Sequence, residues 1–271
     1  TSHNLSYSGG SKKSNYIASI TYIDKQGVLL SSEQNRIVAR IAVEQMAFND
    51  KVKFGINVTN SNIKDIKVPQ RNTALLQAAK YLPVSAPKNA DGTYFENFNH
   101  SGYFNPLAII EQADDDSKIN QLLGNFTTEV TLPFGFTYNL NVAYQRNTSL
   151  NGTYYNSYYA KYYNSAQFYN NPEPPSTHSI INFGSNGLAN RNTYQSTNVI
   201  FENYLTWNKE IGKHAINAVV GYSWQDNTLG DGFMASNTNF PVDDVSYNNL
   251  ALGNYSTVSG YKCLSEDTFN F

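Results

Sequence analysis

A hairpin pattern between residues 34 and 60 constrains the fold of this chain more than any other feature. Apolar residues alternate with polar or small residues from Lys51 to Asn60, and a similar alternation runs from Gln34 to Phe48. Successive side chains of a strand point to opposite faces, so each run predicts a strand with one apolar face. Asn49-Asp50 predicts a tight turn between them. Both runs reach the length of about ten residues that a tilted strand needs to cross a membrane.

The same alternation recurs along the chain and predicts about eight strands. The predicted strands cover His3–Ser8, Asn15–Asp24, Gln34–Phe48, Lys51–Asn60, Ile119–Leu132, Phe136–Gln145, Tyr194–Trp207 and His214–Gln225, and residues 260–271 start one more. Apolar residues bracketed by tyrosines, as in Tyr16–Tyr22, are typical of a lipid-facing band with an aromatic girdle.

Connection lengths alternate between short and long. Short turns lie at Ser8–Ser14, Asn49-Asp50, Pro133–Gly135 and Asn208–Gly212, and every other connection is longer. Bacterial outer-membrane barrels have short periplasmic turns and longer extracellular loops. The pattern therefore predicts an all-β chain, an antiparallel transmembrane β-barrel portion of about eight strands with long extracellular loops.

The long connections contain one helix signal and one tyrosine-rich segment. Residues 61–118 lose the alternation, and Asn72–Tyr81 predicts a short loop helix capped by Asn72 or Thr73 and ended near Pro83. Residues 147–192 form the second predicted loop, and a third follows Gln225.

The composition of the chain argues against several classes of function. The net charge is −2 and no basic cluster occurs, which argues against a nucleic-acid partner. Cys263 is the single cysteine, so the chain cannot form an internal disulfide or a cysteine-based zinc cluster. No apolar run reaches 18 residues, and residues 1–4 do not begin a signal peptide. A membrane β-barrel needs no apolar run, and a signal peptide could have been processed or cut away.

The ordered motifs of the first sixty residues resemble the barrel opening of SusC/RagA-type TonB-dependent outer-membrane transporters, and further matches extend to residue 126. The residues that carry the resemblance are His3-Asn4-Leu5-Ser6, Ser8-Gly9-Gly10, Tyr16, Ser19, Tyr22, Gly27, Arg36, Arg40, Phe54-Gly55-Ile56-Asn57, Leu75–Tyr81, Pro83, Asp91-Gly92-Thr93-Tyr94, Asn105-Pro106 and Asn120–Phe126. The resemblance covers most of residues 1–225.

This resemblance implies nutrient import across the bacterial outer membrane, with oligosaccharides or peptides as solutes. It also implies a SusD-like surface lipoprotein as a lid, energy from the TonB complex through an N-terminal plug, and no cofactor. Plugged transporters of this kind have 22 strands. Residues 1–271 would then be a partial barrel, with the plug and remaining strands absent, and a truncated or frame-altered product is one hypothesis for its end.

Three charged residues share the predicted polar face of one strand. Arg36, Arg40 and Glu44 are spaced so that all face the lumen. They could contact a plug or a solute. The simpler interpretation is that charge is kept off lipid, where arginine costs about 2–4 kcal/mol at mid-bilayer.

The tyrosine-rich loop supplies the candidate solute-binding residues. Aromatic side chains with a polar tip suit binding surfaces, including those for sugar rings. They could equally pack on one another or on a partner lipoprotein. The candidates are Tyr154, Tyr155, Tyr158, Tyr159, Tyr162 and Tyr163.

No motif indicates an enzyme or a metal site. Asp114-Asp115-Asp116 lacks the ligand spacing and glycine of an EF-hand and is expected to be a solvated loop. The four histidines form no HExxH pair, and no Gly-x-Ser-x-Gly elbow occurs.

Two other interpretations remain open at this point. The chain could be a complete eight-stranded outer-membrane barrel with a structural or adhesive role, because small barrels fill their interiors with side chains. It could also be a soluble lectin-like β-domain that uses its tyrosine loops.

Overall fold

The chain forms one large antiparallel sheet with helical connections at one end. The computed structural model describes residues 1–97, 99–100, 102–163, 183–261 and 265–270. The strands are β1 Ser2–Gly10, β2 Ser14–Gln26, β3 Glu33–Ala47, β4 Val52–Ile66, β5 Ala113–Thr131, β6 Phe136–Tyr155, β7 Leu188–Ile211, β8 His214–Thr238, β9 Asn254–Tyr261 and β10 Ser265–Asn270. The predicted fold class is confirmed.

Strand order follows the sequence. Each strand from β1 to β8 pairs antiparallel with the next, and β9 and β10 both pair with β8. β9 lies along Gly232–Thr238 and β10 along Ser223–Thr228, so they extend one edge in succession. Within the described residues β1 pairs only with β2, and the sheet does not close on itself.

The pairing register separates two faces, as the alternation predicted. Val43, Ile56, Phe126, Val142, Phe201 and Trp224 lie in one continuous cross-strand row. The adjacent row on the opposite face contains Glu44, Gly55, Thr127, Asn141, Glu202 and Ser223. A slip of one residue would exchange the two sets, so the shared register keeps this apolar row on one side.

The strands are longer than the alternation predicted. β4 continues to Ile66, β5 begins at Ala113, β6 continues to Tyr155 and β8 to Thr238. The predicted loop segment Asp114–Asp116 therefore lies in β5. Strand length rises from 13 residues in β2 to 19 in β5 and 25 in β8. About ten residues cross a bilayer, so the longer strands extend well beyond it.

The alternation of connection lengths is confirmed. Short turns join β1 to β2, β3 to β4, β5 to β6 and β7 to β8, whereas residues 67–112 and 156–187 connect β4 to β5 and β6 to β7. The turn after β3 contains Phe48, Asn49 and Asp50, all with left-handed φ angles of 53°, 57° and 65°. Asparagine and aspartate tolerate this conformation better than most residues do.

Three short helices lie in the long connections. Helix α1 spans Arg71–Lys80, one residue earlier than predicted. The predicted capping residue was wrong, because Gln70 occupies the N-cap with a left-handed backbone and makes no side-chain cap hydrogen bond. Helices α2 (Pro106–Glu111) and α3 (Ser157–Tyr162) were not predicted. No described helix has both the length and the apolar character needed to span a membrane.

The buried core lies in the connections rather than in the strands. Its largest cluster joins α1, α2, α3 and the adjoining ends of β6 and β7, with Ile109, Tyr159, Tyr163 and Phe183 fully buried. A smaller cluster contains Tyr154, Ala189 and Phe240. Large apolar residues in the middle of the strands stay exposed, including Leu5, Ile41, Ile56 and Val220.

Candidate functional site: a cleft among the long connections

A cleft of about 890 Å³ opens between the two longest connections. One wall comes from residues 89–96 and 112, and the other from α3 and residues 185–186. Its lining combines aromatic rings with both charge signs and hydrogen-bonding groups, including Tyr94, Glu96, Gln112, Tyr158, Lys161 and Tyr162. Mixed aromatic and polar linings of this size are typical of small-molecule and oligomer sites.

Helix α3 determines which tyrosines reach the cleft. Asn156 caps it by accepting from Tyr158 N at 3.0 Å, and its amide donates to Gln112 Oε1 at 2.7 Å. Residues four apart lie on the same side of a helix. Tyr158 and Tyr162 therefore share the cleft side, with ring centroids 4.5 Å apart. Tyr159 and Tyr163 share the other side.

Four of the six predicted solute-binding tyrosines are core residues in this structure. Tyr159 and Tyr163 have no exposed surface, and Tyr154 and Tyr155 are also buried. Tyr159 donates to Ile109 O at 2.5 Å and packs on Phe183. Tyrosine is amphipathic, so a packed core with hydrogen-bond acceptors accommodates it as readily as a surface does. The structure brings only Tyr158 and Tyr162 to the cleft.

Glu96 accepts three hydrogen bonds at the wall of the cleft. Its carboxylate accepts from Asn105 N at 3.0 Å, from Tyr158 OH at 3.1 Å and from Tyr163 OH. Burial raises the pKa of Glu96 above its usual value, and the three hydrogen bonds oppose that shift. Burial beside this carboxylate raises the pKa of both phenols, so they stay protonated and donate.

A second hydrogen-bonded group lies beside Glu96 on the same wall of the cleft. Lys88 Nζ lies 2.9 Å from Glu111 Oε2, and Tyr94 OH donates to the same oxygen at 2.7 Å. Gln112 Nε2 donates to Tyr94 OH at 3.0 Å. The lysine lowers the pKa of Glu111, and the carboxylate raises that of Lys88. These contacts hold the Tyr94 ring at the cleft edge.

Two buried amides fix the connection that carries Glu96. Asn105 accepts from Leu107 N at 3.0 Å as the N-cap of α2, and donates to Pro87 O and Phe95 O at 2.6 and 3.0 Å. Gln77 of α1 donates to Gly102 O and accepts from Phe104 N, both at 3.0 Å. Sequence analysis missed Glu96 and Gln77. Asn105-Pro106 carried a detectable signal, because asparagine before proline marks a helix start.

The connection after β8 forms hydrogen bonds with the start of α3 and with the adjoining ends of β5 and β6. Asp243 accepts from Tyr154 OH at 2.7 Å and from Ser157 N and Oγ at 3.0 and 2.6 Å. Ser246 Oγ donates to Asp114 Oδ2 at 2.6 Å, and Tyr247 OH donates to Asp116. No group of three His, Cys, Asp or Glu suited to a metal ion occurs in the described part of the chain.

The predicted lumen-facing residues lie together on the polar face of β3. Arg36 Nε donates to Ser61 Oγ at 2.8 Å and Arg40 Nε to Asn57 Oδ1 at 3.1 Å. Glu44 forms an ion pair with Lys53 at 3.3 Å. All three point away from the apolar face. Whether this polar face lines a lumen stays a prediction.

A sheet with one apolar face, short turns at one rim and packed connections at the other has the architecture of a TonB-dependent outer-membrane barrel wall. The RagAB peptide transporter matches 98% of this chain and 28% of its own, with a TM-score of 0.70 and 17% identity. The pyoverdine receptor FpvA of Pseudomonas aeruginosa matches 99% of this chain with a TM-score of 0.51 and 13% identity. At these identities the similarity shows the fold.

The curated proteins that match this sequence are TonB-dependent receptors, and SusC is one of them. TonB-dependent receptor P3 of Formosa agariphila is 27% identical over 259 residues, covering 92% of this chain and 24% of that protein. TonB-dependent receptor SusC of Bacteroides thetaiotaomicron is 25% identical over 242 residues, covering 82% and 22%. No protein-family model matches. The predicted resemblance to SusC/RagA-type transporters and the predicted outer-membrane location are confirmed.

The chain spans about a quarter of the length of the curated relatives it matches, 24% and 22% in the two cases. Those relatives are TonB-dependent receptors by name.

Proposed function

We propose that this chain forms part of the barrel wall and extracellular loops of a TonB-dependent transporter that imports nutrients across the outer membrane. The observation that carries the proposal is the two-faced sheet whose short turns all lie at one rim. The apolar face, with its continuous cross-strand row from β3 to β8, is stabilised in lipid and is a liability in water. The enclosed polar face suits a water-filled passage.

The proposed assembly has partners beyond this chain. A plug segment and further strands would complete the barrel, and the plug would receive energy from the TonB complex. A SusD-like lipoprotein would cover the loop end. Packed, hydrogen-bonded connections support this arrangement, since a rigid rim can seat a partner better than mobile loops can.

We propose that the cleft contacts the solute, an oligosaccharide or a peptide. The exposed parts of Tyr158 and Tyr162 offer ring faces for stacking on sugar or aromatic groups. Lys161 Nζ lies 4.7 Å from the Tyr162 ring centroid and offers a charge for a carboxylate. Of the six tyrosines predicted to bind solute, these two carry the proposal.

The solute hypothesis is tested by uptake in cells whose only copy of the receptor carries the change. Tyr162→Ala should raise the solute concentration for half-maximal uptake about tenfold, because losing one aromatic contact costs up to about 1.5 kcal/mol of binding free energy. Tyr162→Phe keeps the ring and should retain normal uptake. Tyr81→Ala removes a tyrosine of the 67–112 connection that stacks on Tyr103 outside the cleft, and serves as the control. Equal uptake by all three variants would contradict a solute contact here.

The class of solute is identified by measuring growth of the same cells on defined nutrients. Deleting the receptor should abolish growth on either an oligosaccharide mixture or a peptide mixture, while growth on monosaccharides and amino acids continues. Unchanged growth of the deletion strain on every large nutrient would contradict the transport proposal.

Electrophoresis of the isolated chain in detergent, with and without heating, distinguishes a closed eight-stranded barrel from an open part of a larger barrel. A compact unheated band would favour a closed small barrel. Among the described residues the outer edge of β1 is unpaired, and this supports the opposite expectation, because open edges leave backbone groups unsatisfied in lipid. A soluble lectin-like domain predicts a detergent-free monomer, which the exposed apolar face opposes.

A further inference from the structure

One charge of the cleft has no counter-charge among the described residues. Of the described residues that line the cleft, Glu96 is the only acid and Lys161 the only base. Glu96 accepts from Asn105 N and from two phenols, so its carboxylate is already supplied with donors. Lys161 is exposed, and no described carboxylate lies within 4.0 Å of its Nζ. The charge that the cleft offers to a ligand is therefore positive.

Lys161 shares one side of α3 with the two tyrosines of the cleft. It lies three residues after Tyr158, and Tyr162 lies four residues after Tyr158. Residues at these spacings are neighbours on a helix, with Cβ atoms about 5–6 Å apart. The Lys161 ammonium lies 4.7 Å from the Tyr162 ring centroid, and the two ring centroids lie 4.5 Å apart. A ligand ring stacked on this pair would have its substituents within reach of the ammonium.

Two serine hydroxyls that line the cleft have their hydrogens directed away from a ligand. Ser157 Oγ donates to Asp243 Oδ2 at 2.6 Å, and Ser185 Oγ donates to Asn239 Oδ1 at 2.8 Å. A hydroxyl has one hydrogen and two lone pairs, so each serine oxygen keeps acceptor capacity. The hydroxyl groups of a sugar can donate to such acceptors.

Main-chain groups of both cleft walls are used within the walls. Residues 87–95 are paired as a small hairpin, in which Phe95 N donates to Pro87 O at 3.1 Å. On the other wall, Tyr158 N donates to the Asn156 side chain that caps α3. Peptides that bind in extended form pair with an exposed strand edge. The cleft instead presents side chains, which favours a ligand that is recognised without main-chain pairing.

We infer that the cleft takes an acidic oligosaccharide, in which a sugar ring stacks on Tyr158 and Tyr162 and a carboxylate on that ring binds Lys161. The sugar unit is thus a uronic acid. The aromatic faces contact the ring, the serine oxygens accept from its hydroxyls, and the ammonium supplies the counter-charge. The inference rests on the proposed function, because it names the class of solute for the same cleft. An acidic peptide is the alternative that the test must reject.

The test uses the whole receptor purified from outer membranes in detergent. Titration calorimetry measures its affinity for oligouronates prepared from pectin, alginate and glucuronan. The same oligosaccharides with their carboxyl groups reduced to alcohols are the neutral counterparts, and oligoglutamate is the acidic peptide. Wild-type receptor should bind an oligouronate about fivefold more tightly than its reduced counterpart, the upper value for an exposed ion pair.

Three variants assign this preference to the cleft lysine. Lys161→Gln should remove the preference while the affinity for the reduced oligosaccharide stays the same. Lys161→Arg keeps the charge and should retain the preference. Lys80→Gln removes an exposed lysine from the last turn of α1, outside the cleft, and is the matched control. Added salt should weaken binding of the oligouronate more than binding of its reduced form.

Equal affinity for acidic and reduced oligosaccharides would overturn the inference. Tighter binding of oligoglutamate, or a preference that persists in Lys161→Gln, would overturn it too. The growth experiment separates these results from failure of the proposed function. Receptor-dependent growth on neutral oligosaccharides or peptides alone rejects only the acidic solute. Growth that never depends on the receptor rejects both.

Discussion

The strand wall and the loop region of this protein are stabilised in opposite ways. The buried hydrophobic residues of the described chain all lie in the connections or at the strand ends that adjoin them. In mid-strand the apolar side chains of the outer face are exposed, with Leu5 at 72% and Val220 at 67%. Burial from water stabilises the loop region, whereas contact with lipid would stabilise the apolar face of the wall. One chain therefore contains two regions adapted to different surroundings.

The strand wall and the loop region also differ in the kind of hydrogen bond that holds them together. Backbone pairing between neighbouring strands holds the wall together through an almost unbroken register. The loop region depends on side chains instead, with Asn105, Gln77, Glu96 and Asp243 each linking segments distant in sequence. A single substitution should therefore disturb the loop region more than the wall, unless it places charge in the apolar band.

The largest effect is expected from Tyr159→Ala. This change empties a fully buried site and leaves Ile109 O without its donor, so the loop region should lose about 3–5 kcal/mol. Hydrogen exchange should accelerate in 102–112 and 156–163 but not in β3 and β4. Tyr159→Phe removes only the hydroxyl and should cost about 1 kcal/mol. Equal acceleration in the wall would disprove the separation of the two regions.

A charge in the apolar band gives the next largest effect. Val142 lies between Phe126 and Phe201 on the outer face, so Val142→Lys should cost about 2–4 kcal/mol in the membrane. Its neighbour Asn141 lies on the other face and donates to Glu202 at 2.8 Å, so Asn141→Lys keeps an acidic partner. Recovery of folded receptor from outer membranes should fall only for Val142→Lys. Similar recovery of both variants would mean that the apolar face is not in lipid.

Loss of the α2 cap should have an intermediate effect confined to the loop region. Asn105→Ala removes acceptors for Leu107 N and Ala108 N together with two donated hydrogen bonds, at a cost of about 2 kcal/mol. Protease cleavage near residues 95–105 should become faster. Asn62→Ala, which removes an amide from the wall surface, should leave that cleavage unchanged.

The smallest effect concerns pH. Burial raises the pKa of Glu96 above 4.5, so its protonated form is favoured in the folded loop region. That contribution is fully present below pH 4.5 and is lost as the pH rises through the raised pKa. Hydrogen exchange in 102–112 should therefore be slower at the acidic end of this range. Glu96→Gln keeps an oxygen acceptor for both tyrosines and should flatten the dependence, whereas an unchanged pH profile would assign it to another group.

Sequence alternation predicted the register well and the strand ends poorly, for one physical reason. Apolar and polar residues contrast only where one face meets lipid and the other water. Above the band both faces are polar, as Asn60 beside Ser61 and Arg146 beside Asn147 illustrate. The contrast disappears there although the backbone pairing continues, so β4, β6 and β8 extend into segments that were predicted to be loops.

The candidate site was only partly predictable. The tyrosine-rich segment marked the right region, but paired tyrosines do not indicate which ring of each pair is buried. The helical periodicity of α3 determines which rings are buried. Tyr158 and Tyr162 lie on the side of α3 that faces the cleft. Tyr159 and Tyr163 lie on its buried side. Glu96 looked like an ordinary loop residue, since its partners come from segments that only the fold brings together.

The steady lengthening of the strands gives the loop end a slope. β8 has 12 more residues than β2, which is about 40 Å of additional strand. The short turns lie at the other rim, so the extra length accumulates at the loop end. A partner seated there would rest on an incline that is low beside β2 and high beside β8.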